Sequence, residues 1–113
     1  METYIVKVPV TGNAEILSFD AIHSYSQLHE AVGGYLEAVV IPAISTKENY
    51  TIDCFVDEEG LIKQPPLPCN FRLSILANQR LVGNAVFAAH DAEGETVGLS
   101  KADADTILEY FIG

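Results

Sequence analysis

Basic residues are scarce in this sequence, and their scarcity narrows the possible functions. Six lysines and arginines face sixteen aspartates and glutamates, so the formal net charge is −10 at pH 7. A surface with this imbalance repels phosphate backbones, and direct nucleic-acid binding is therefore not expected. The excess of acid is compatible with plain solubility, with attraction to a basic protein surface, or with imitation of nucleic acid toward a DNA-binding protein.

Cysteine is also scarce, and long apolar runs are missing. Cys54 and Cys69 lack the Cys-x-x-Cys spacing of metal or redox pairs, so we expect two small thiols near the core, although a disulfide stays open. No apolar run reaches the roughly 18 residues of a membrane span. The N-terminus lacks the basic start and apolar stretch of a secretion signal, which predicts a cytoplasmic protein without membrane contact.

What the sequence does contain is enough apolar material for a core. The 113 residues are 49% hydrophobic, which predicts one folded domain over residues 1–113. Residues 28–41 are the stretch around which the domain is organised, and they predict the end of a helix, a two-glycine turn and a buried central strand. Ser24 and Gln27 can form a capping box at the helix start, and Gly33 or Gly34 can end the helix in a left-handed conformation. Tyr25, with Leu28 and Val32 farther along, marks the apolar face.

The remaining elements follow from alternation, capping and turn signals. Residues 3–20 predict a hairpin, and further strands are expected at 35–43, 50–56, 85–89 and 96–99. Leu61 and Ile62 are expected to begin a returning strand, and the prolines of residues 64–68 predict a rigid crossover. Asn70 can cap a short helix with Phe71 and Ile75 on one side. After Ser100 a final helix is expected, so the fold class is α+β: a small, mostly antiparallel sheet with two or three helices packed on it.

Several short motifs occur in an order that resembles a known family. They are the segments 28–37 with Val-Gly-Gly-Tyr, 56–60 with Asp-Glu-Glu-Gly, 66–70, 82–86 and 94–100. Over about residues 25–110 the chain resembles the uncharacterised family called domain of unknown function 3846. One departure is that Phe71 follows Asn70, where the family often has a basic or small residue, and the arginine comes at Arg72.

The resemblance implies a biological context and leaves the reaction open. It implies a small accessory protein of a bacteriophage, plasmid or other mobile element, and it brings no catalytic residues. His23, His29 and His90 lack metal-binding spacing, so neither a metal nor a cofactor is expected. Cys54 or Cys69 could pair with His90 in a hydrolase, but no catalytic motif flanks them.

A binding patch is the strongest functional candidate in the sequence. Glycines allow close approach of a ligand, a tyrosine offers a face for stacking, and an arginine can meet an anion. The predicted ligand-binding residues are Gly33, Gly34, Tyr35, Asn70, Arg72 and Asn84, with Arg80 as a further candidate.

Three functional hypotheses follow. The first is a non-enzymatic accessory protein that binds a host protein or a small anionic, nucleotide-like ligand, for example in counter-defence. The second is an acidic nucleic-acid mimic that inhibits a DNA-binding host protein, and the third is a small hydrolase. A homodimer through an exposed strand edge is compatible with all three.

Overall fold

Short strands form the sheet at the centre of the molecule. The computed structural model describes residues 2–44, 47 and 49–112. The strands in this part of the chain are β1 (Tyr4–Val8), β2 (Glu15–Ser18), β3 (Leu36–Val39), β4 (Thr51–Asp57), β5 (Ala85–His90) and β6 (Thr96–Val97). The helices are α1 (Ser24–Val32), α2 (Phe71–Ala77) and α3 (Lys101–Glu109). The α+β fold class is confirmed.

The sheet places β5 at its centre. The strand order is β2-β1-β5-β4-β3, β6 pairs with β5 as well, and every pairing is antiparallel. Phe87 of β5 stands opposite Val6 on one side and Cys54 on the other. Because β5 has neighbours along both edges and packing on both faces, its residues are buried except for the half-buried His90. Full burial of a side chain such as Phe87 contributes about 1.5–3 kcal/mol.

Side chains alternate between the two faces of the sheet, and each face has its own helices. On one face a large cluster around Phe87 and Ile52 packs against Leu73 of α2 and Ile107 of α3. On the opposite face a smaller cluster includes Ile5, Val86 and Ala88, with residues of α1 over it. The molecule is therefore layered, with α1 on one side of the sheet and α2 and α3 on the other.

The strand that follows the glycine pair is an edge strand, so its expected central position is wrong. β3 pairs with β4 and ends the sheet, and its residues are half-buried or exposed. Beyond it Val40 is 60% exposed, while Ile41 turns inward and is 1% exposed. An apolar run indicates that a strand packs on something, but it does not indicate how many strands flank it.

The start of α1 differs from the expected capping box, whereas its end agrees with the prediction. His23 occupies the N-cap position, and Gln27 binds the preceding loop, with its Nε2 donating to the Ser18 carbonyl at 2.8 Å. Tyr25 is 58% exposed, so its placement on the apolar face is wrong. Gly33 ends the helix in the left-handed conformation with φ 87°, as predicted.

In the second half of the chain the expected helix caps form, but one expected strand does not. Asn70 and Ser100 cap α2 and α3 with their side chains, as expected. Leu61 and Ile62 lie in turns, so the expected returning strand is wrong. Phe71 and Ile75 lie on one side of α2, as expected, and that side is exposed.

None of the helices in residues 2–44, 47 and 49–112 combines the length and the apolar composition needed to cross a membrane.

Candidate functional site

Asn70 fixes the start of α2 from inside the protein. Its side chain is fully buried, and its Nδ2 donates to the carbonyl oxygens of Val8 and Gly83, each at 3.0 Å. Its Oδ1 accepts the backbone N–H of Leu73 at 3.4 Å, which is the capping bond. Every polar atom of this predicted ligand residue is thus engaged within the chain, and it joins α2 to the end of β1 and to the loop before β5.

Arg72 fixes α2 from the side. Its Nη1 donates to the Phe111 carbonyl at 3.1 Å, and its Nη2 donates to the carbonyls of Pro9 at 3.2 Å and Gly12 at 2.8 Å. A guanidinium has several donors in a rigid fork, so one side chain can serve three carbonyls. These bonds connect α2 to the segment after α3 and to the β1–β2 turn.

Asn84 completes this group of anchors. Its Oδ1 accepts the backbone N–H of Val10 at 2.9 Å. Three of the predicted site residues, Asn70, Arg72 and Asn84, therefore converge on the same backbone segment, residues 8–12. These three side chains lie close together, and the partner that they share is the backbone of the chain itself.

The end of α2 is tied down as well. Ser74 Oγ lies 2.8 Å from the Asn70 carbonyl and accepts the Leu81 N–H at 2.9 Å. Asn78 adopts a left-handed conformation with φ 55° and ends the helix. With both ends and the inner face fixed, the outer face of α2 is held in one position.

The outer face of α2 carries apolar side chains that contact water. Phe71 and Ile75 lie one helical turn apart and are 69% and 66% exposed, and Cys69 just before them is exposed too. They border an open concavity of about 520 Å³. We call Cys69, Phe71, Ile75 and Arg80 the α2 surface. The full lining consists of Cys69, Phe71, Ser74, Ile75, Asn78, Gln79 and Arg80.

The other three predicted site residues lie on the opposite side of the sheet. Gly33 and Gly34 connect α1 to β3, and a Cβ on Gly34 would stand 2.8 Å from Oδ1 of Asp57. The Tyr35 carbonyl accepts the N–H of Glu58 at 2.8 Å. The structure therefore divides the predicted patch into an α2 group and a glycine–tyrosine group.

Asp57 is a buried acid that appeared in the sequence only as part of the Asp-Glu-Glu-Gly motif. It is 4% exposed, its carboxylate binds the Lys63 ammonium, and it accepts the Glu59 N–H at 2.8 Å. Burial alone raises the pKa of Asp57. The hydrogen bonds from Lys63 and from the Glu59 N–H, together with the charges of Lys63 and His29, outweigh burial, so the pKa lies below its ordinary value. Asp57 is therefore an ionised anchor under the glycine pair.

The cysteine–histidine pair imagined for a hydrolase does not form. Cys54 lies in the large cluster with its thiol pKa raised by burial, and Cys69 stands before α2. His90 is the last residue of β5 and lies on the α1 face of the sheet. Its Nδ1 is 2.7 Å from Oδ2 of Asp53. Sequence analysis missed this pair because strand register alone brings the two residues together. In the described part of the chain both cysteines are free thiols, which answers the disulfide question.

The side chains that could bind a metal ion are also dispersed. Within residues 2–44, 47 and 49–112, no group of three or more His, Cys, Asp or Glu side chains is placed to hold a metal ion.

Comparison with known proteins gives one match. The family model described as Domain of unknown function (DUF3846) matches residues 3–112. The chain belongs to this family. The resemblance expected from the motifs is confirmed and extends over essentially the whole chain. No curated protein and no solved structure matches it.

The DUF3846 motifs at 66–70 and 82–86 meet in space at the α2 surface. Cys69 and Val82 form an antiparallel bridge, and Asn70 Nδ2 binds the Gly83 carbonyl. Two motifs that are separate in the sequence thus support one helix. For this reason we take the α2 surface as the main candidate site.

Proposed function

We propose that this DUF3846 protein is a non-enzymatic accessory protein that acts by binding a partner protein through the α2 surface. The observation that carries the proposal is the exposure of Phe71 and Ile75, at 69% and 66%, on a helix whose inner face and both ends are fixed. Large apolar side chains grouped on a surface mark sites of protein association.

The composition of the α2 surface supports a protein partner. Complete burial of Phe71 and Ile75 would contribute about 1.5–3 kcal/mol for each side chain. Aromatic side chains and arginine are enriched in the centres of interfaces, and Arg80 borders the two apolar residues. A few such residues supply most of the binding energy in known interfaces.

The rigidity of the support lowers the cost of association. Asn70, Arg72 and Ser74 hold α2 by hydrogen bonds to other segments, so little backbone order must be gained on binding. The same bonds favour a protein partner over a small anionic ligand, because the guanidinium of Arg72 already serves three carbonyls.

The proposed setting is a mobile genetic element, and the proposed partner is a host protein, as in counter-defence. The net charge of −10 supports a partner whose contact surface has a basic rim, since opposite potentials speed encounter and suppress wrong partners.

The test begins with the immobilised full chain and lysate of the bacterial host. A captured protein is purified, and its affinity is measured for the original chain and for the double variant Phe71→Ala, Ile75→Ala. We expect affinity to fall by at least about tenfold, as for central interface residues. Ile112→Ala is the matched control, because Ile112 is also an exposed apolar residue, at 67%, and it lies outside the α2 surface.

Two results would contradict the proposal. One is an affinity that the double variant leaves unchanged. The other is capture of a DNA-binding protein that DNA displaces from the chain and that the double variant still binds. That result would establish the nucleic-acid mimic instead.

A further inference from the structure

Three aromatic rings form a row on the outer side of α1. The ring centroids of Tyr25 and His29 are 5.6 Å apart with planes tilted by 40°, and those of His29 and Tyr35 are 6.1 Å apart in an edge-to-face arrangement. Tyr25 and Tyr35 are 58% and 61% exposed. We call these three residues the aromatic row.

The fold fixes the row in place. Tyr25 and His29 are four residues apart and therefore lie on the same face of α1. Gly33 then reverses the chain with φ 87°, and the Glu58 N–H holds the carbonyl of Tyr35 at 2.8 Å. The centroid distances within the row are those of aromatic contacts, so the three side chains form one continuous surface.

The two tyrosine rings are not part of the hydrophobic core. The residues of α1 that pack on the sheet are Leu28, Ala31 and Val32, whereas Tyr25 is exposed on the same helix. The faces of the two tyrosines are consequently available to a partner.

The charges near the row favour a cation. Glu58 is exposed and adjoins Tyr35, whose carbonyl accepts the Glu58 backbone N–H at 2.8 Å. The neighbouring ammonium of Lys63 is already paired with buried Asp57. Among the residues that the structure describes, no cation lies within ion-pair distance of Glu58, and the chain as a whole carries a net charge of −10, so a cationic partner is favoured over an anionic one.

We infer that the aromatic row and Glu58 bind arginine side chains of a basic segment in a partner protein. A guanidinium can stack on a tyrosine face and donate hydrogen bonds to a carboxylate at the same time. A lysine ammonium is a compact, strongly hydrated charge and gains less from the rings. This site lies on the α1 side of the sheet and α2 packs on the other, so the inference does not rest on the α2 surface.

The test compares two peptides of equal charge, hexa-arginine and hexa-lysine, by calorimetric titration of the full chain. We expect hexa-arginine to bind several-fold more tightly. Tyr35→Leu keeps an apolar side chain but removes the ring, and it should weaken hexa-arginine binding about two- to fivefold, the range of exposed cation–π contacts. Tyr35→Phe keeps the ring and should bind like the original chain.

Two controls locate the site. Tyr110→Ala removes another exposed tyrosine, 48% exposed and outside the row, and should leave binding unchanged. Phe71→Ala tests the α2 surface and should also leave peptide binding unchanged, so failure of this inference is separate from failure of the proposed function. Equal affinity for the two peptides, no effect of Tyr35→Leu, or loss of binding in Phe71→Ala would overturn the inference.

Discussion

Asp57 and Gly34 show how a single pair of residues joins α1 to the sheet. A side chain on Gly34 would collide with the Asp57 carboxylate, whose Oδ1 would be 2.8 Å from the added Cβ. The carboxylate cannot move away cheaply, because it is buried and bound to Lys63 and to the Glu59 N–H. Glycine at this position therefore allows β3 to begin beside a buried charge.

The linkage between Asp57 and Lys63 predicts a pH dependence of stability. The pKa of Asp57 in the folded state lies below that of an unfolded aspartate, about 3.9. Its contribution is therefore complete above that value and is lost as pH falls through the lower folded-state pKa. We expect Lys63→Met to lower the unfolding free energy at pH 7 by about 1–3 kcal/mol, a range reduced because solvent screens the partly exposed lysine.

The measurement is urea unfolding of both chains at a series of pH values. The difference between them should shrink once pH falls below about 4, where the aspartate becomes protonated. Lys101→Met, which breaks an exposed pair with Asp105, is the control and should match the original chain throughout. A difference independent of pH would show that Lys63 acts by packing alone.

At the scale of an element, α2 depends on few apolar contacts and many polar ones. It is seven residues long, and Leu73 and Ala77 are its buried residues. Isolated helices of this length are unstable in water, so the helix requires its tertiary partners. Asn70 supplies the cap and two buried bonds, and Arg72 supplies three more.

Replacement of Asn70 should therefore destabilise the protein more than replacement of an exposed cap. Asn70→Ala should cost about 2–4 kcal/mol, because it removes a cap and leaves two buried carbonyls without a donor. Asn70→Asp should cost at least as much, since it keeps the cap acceptor but turns an oxygen toward the carbonyls of Val8 and Gly83. Ser100→Ala, the exposed cap of α3, should cost about 1 kcal/mol.

Urea unfolding measures all three variants, and amide hydrogen exchange reports whether α2 opens first. A cost for Asn70→Ala no greater than that for Ser100→Ala would contradict the anchoring role.

At the scale of the whole molecule, charge opposes folding. Sixteen acids and six bases leave a net charge of −10, and self-repulsion of this kind disfavours the compact state. The pairs Lys101–Asp105 and Lys47–Asp103 are partly or largely exposed and offset little of it.

Added salt should therefore stabilise the protein. Between about 0.05 M and about 0.3 M sodium chloride, we expect a rise in Tm of a few degrees, since about 1 kcal/mol corresponds to about 4–8 °C in a domain near this size. Thermal unfolding by circular dichroism measures it. The double variant Glu93→Gln, Glu95→Gln, in an exposed turn, should show a smaller salt effect. A fall in Tm with salt would mean that attractive pairs outweigh the repulsion.

The sequence by itself determined the features that depend on a few neighbouring residues. The left-handed glycine at the end of α1, the caps Asn70 and Ser100, and the apolar strand β5 each rest on local hydrogen bonds or on a short run of side chains. Such signals act within one or two turns of backbone and survive in any fold, so α1, α2, α3 and most strands could be predicted.

Only the tertiary structure decided which elements meet. It placed β3 at the edge, turned Phe71 outward, and brought His90 to Asp53. It also divided the predicted site, giving Asn70, Arg72 and Asn84 to the support of α2 and leaving Tyr35 beside His29. These outcomes depend on strand order and register, which are set by contacts between residues far apart in the chain.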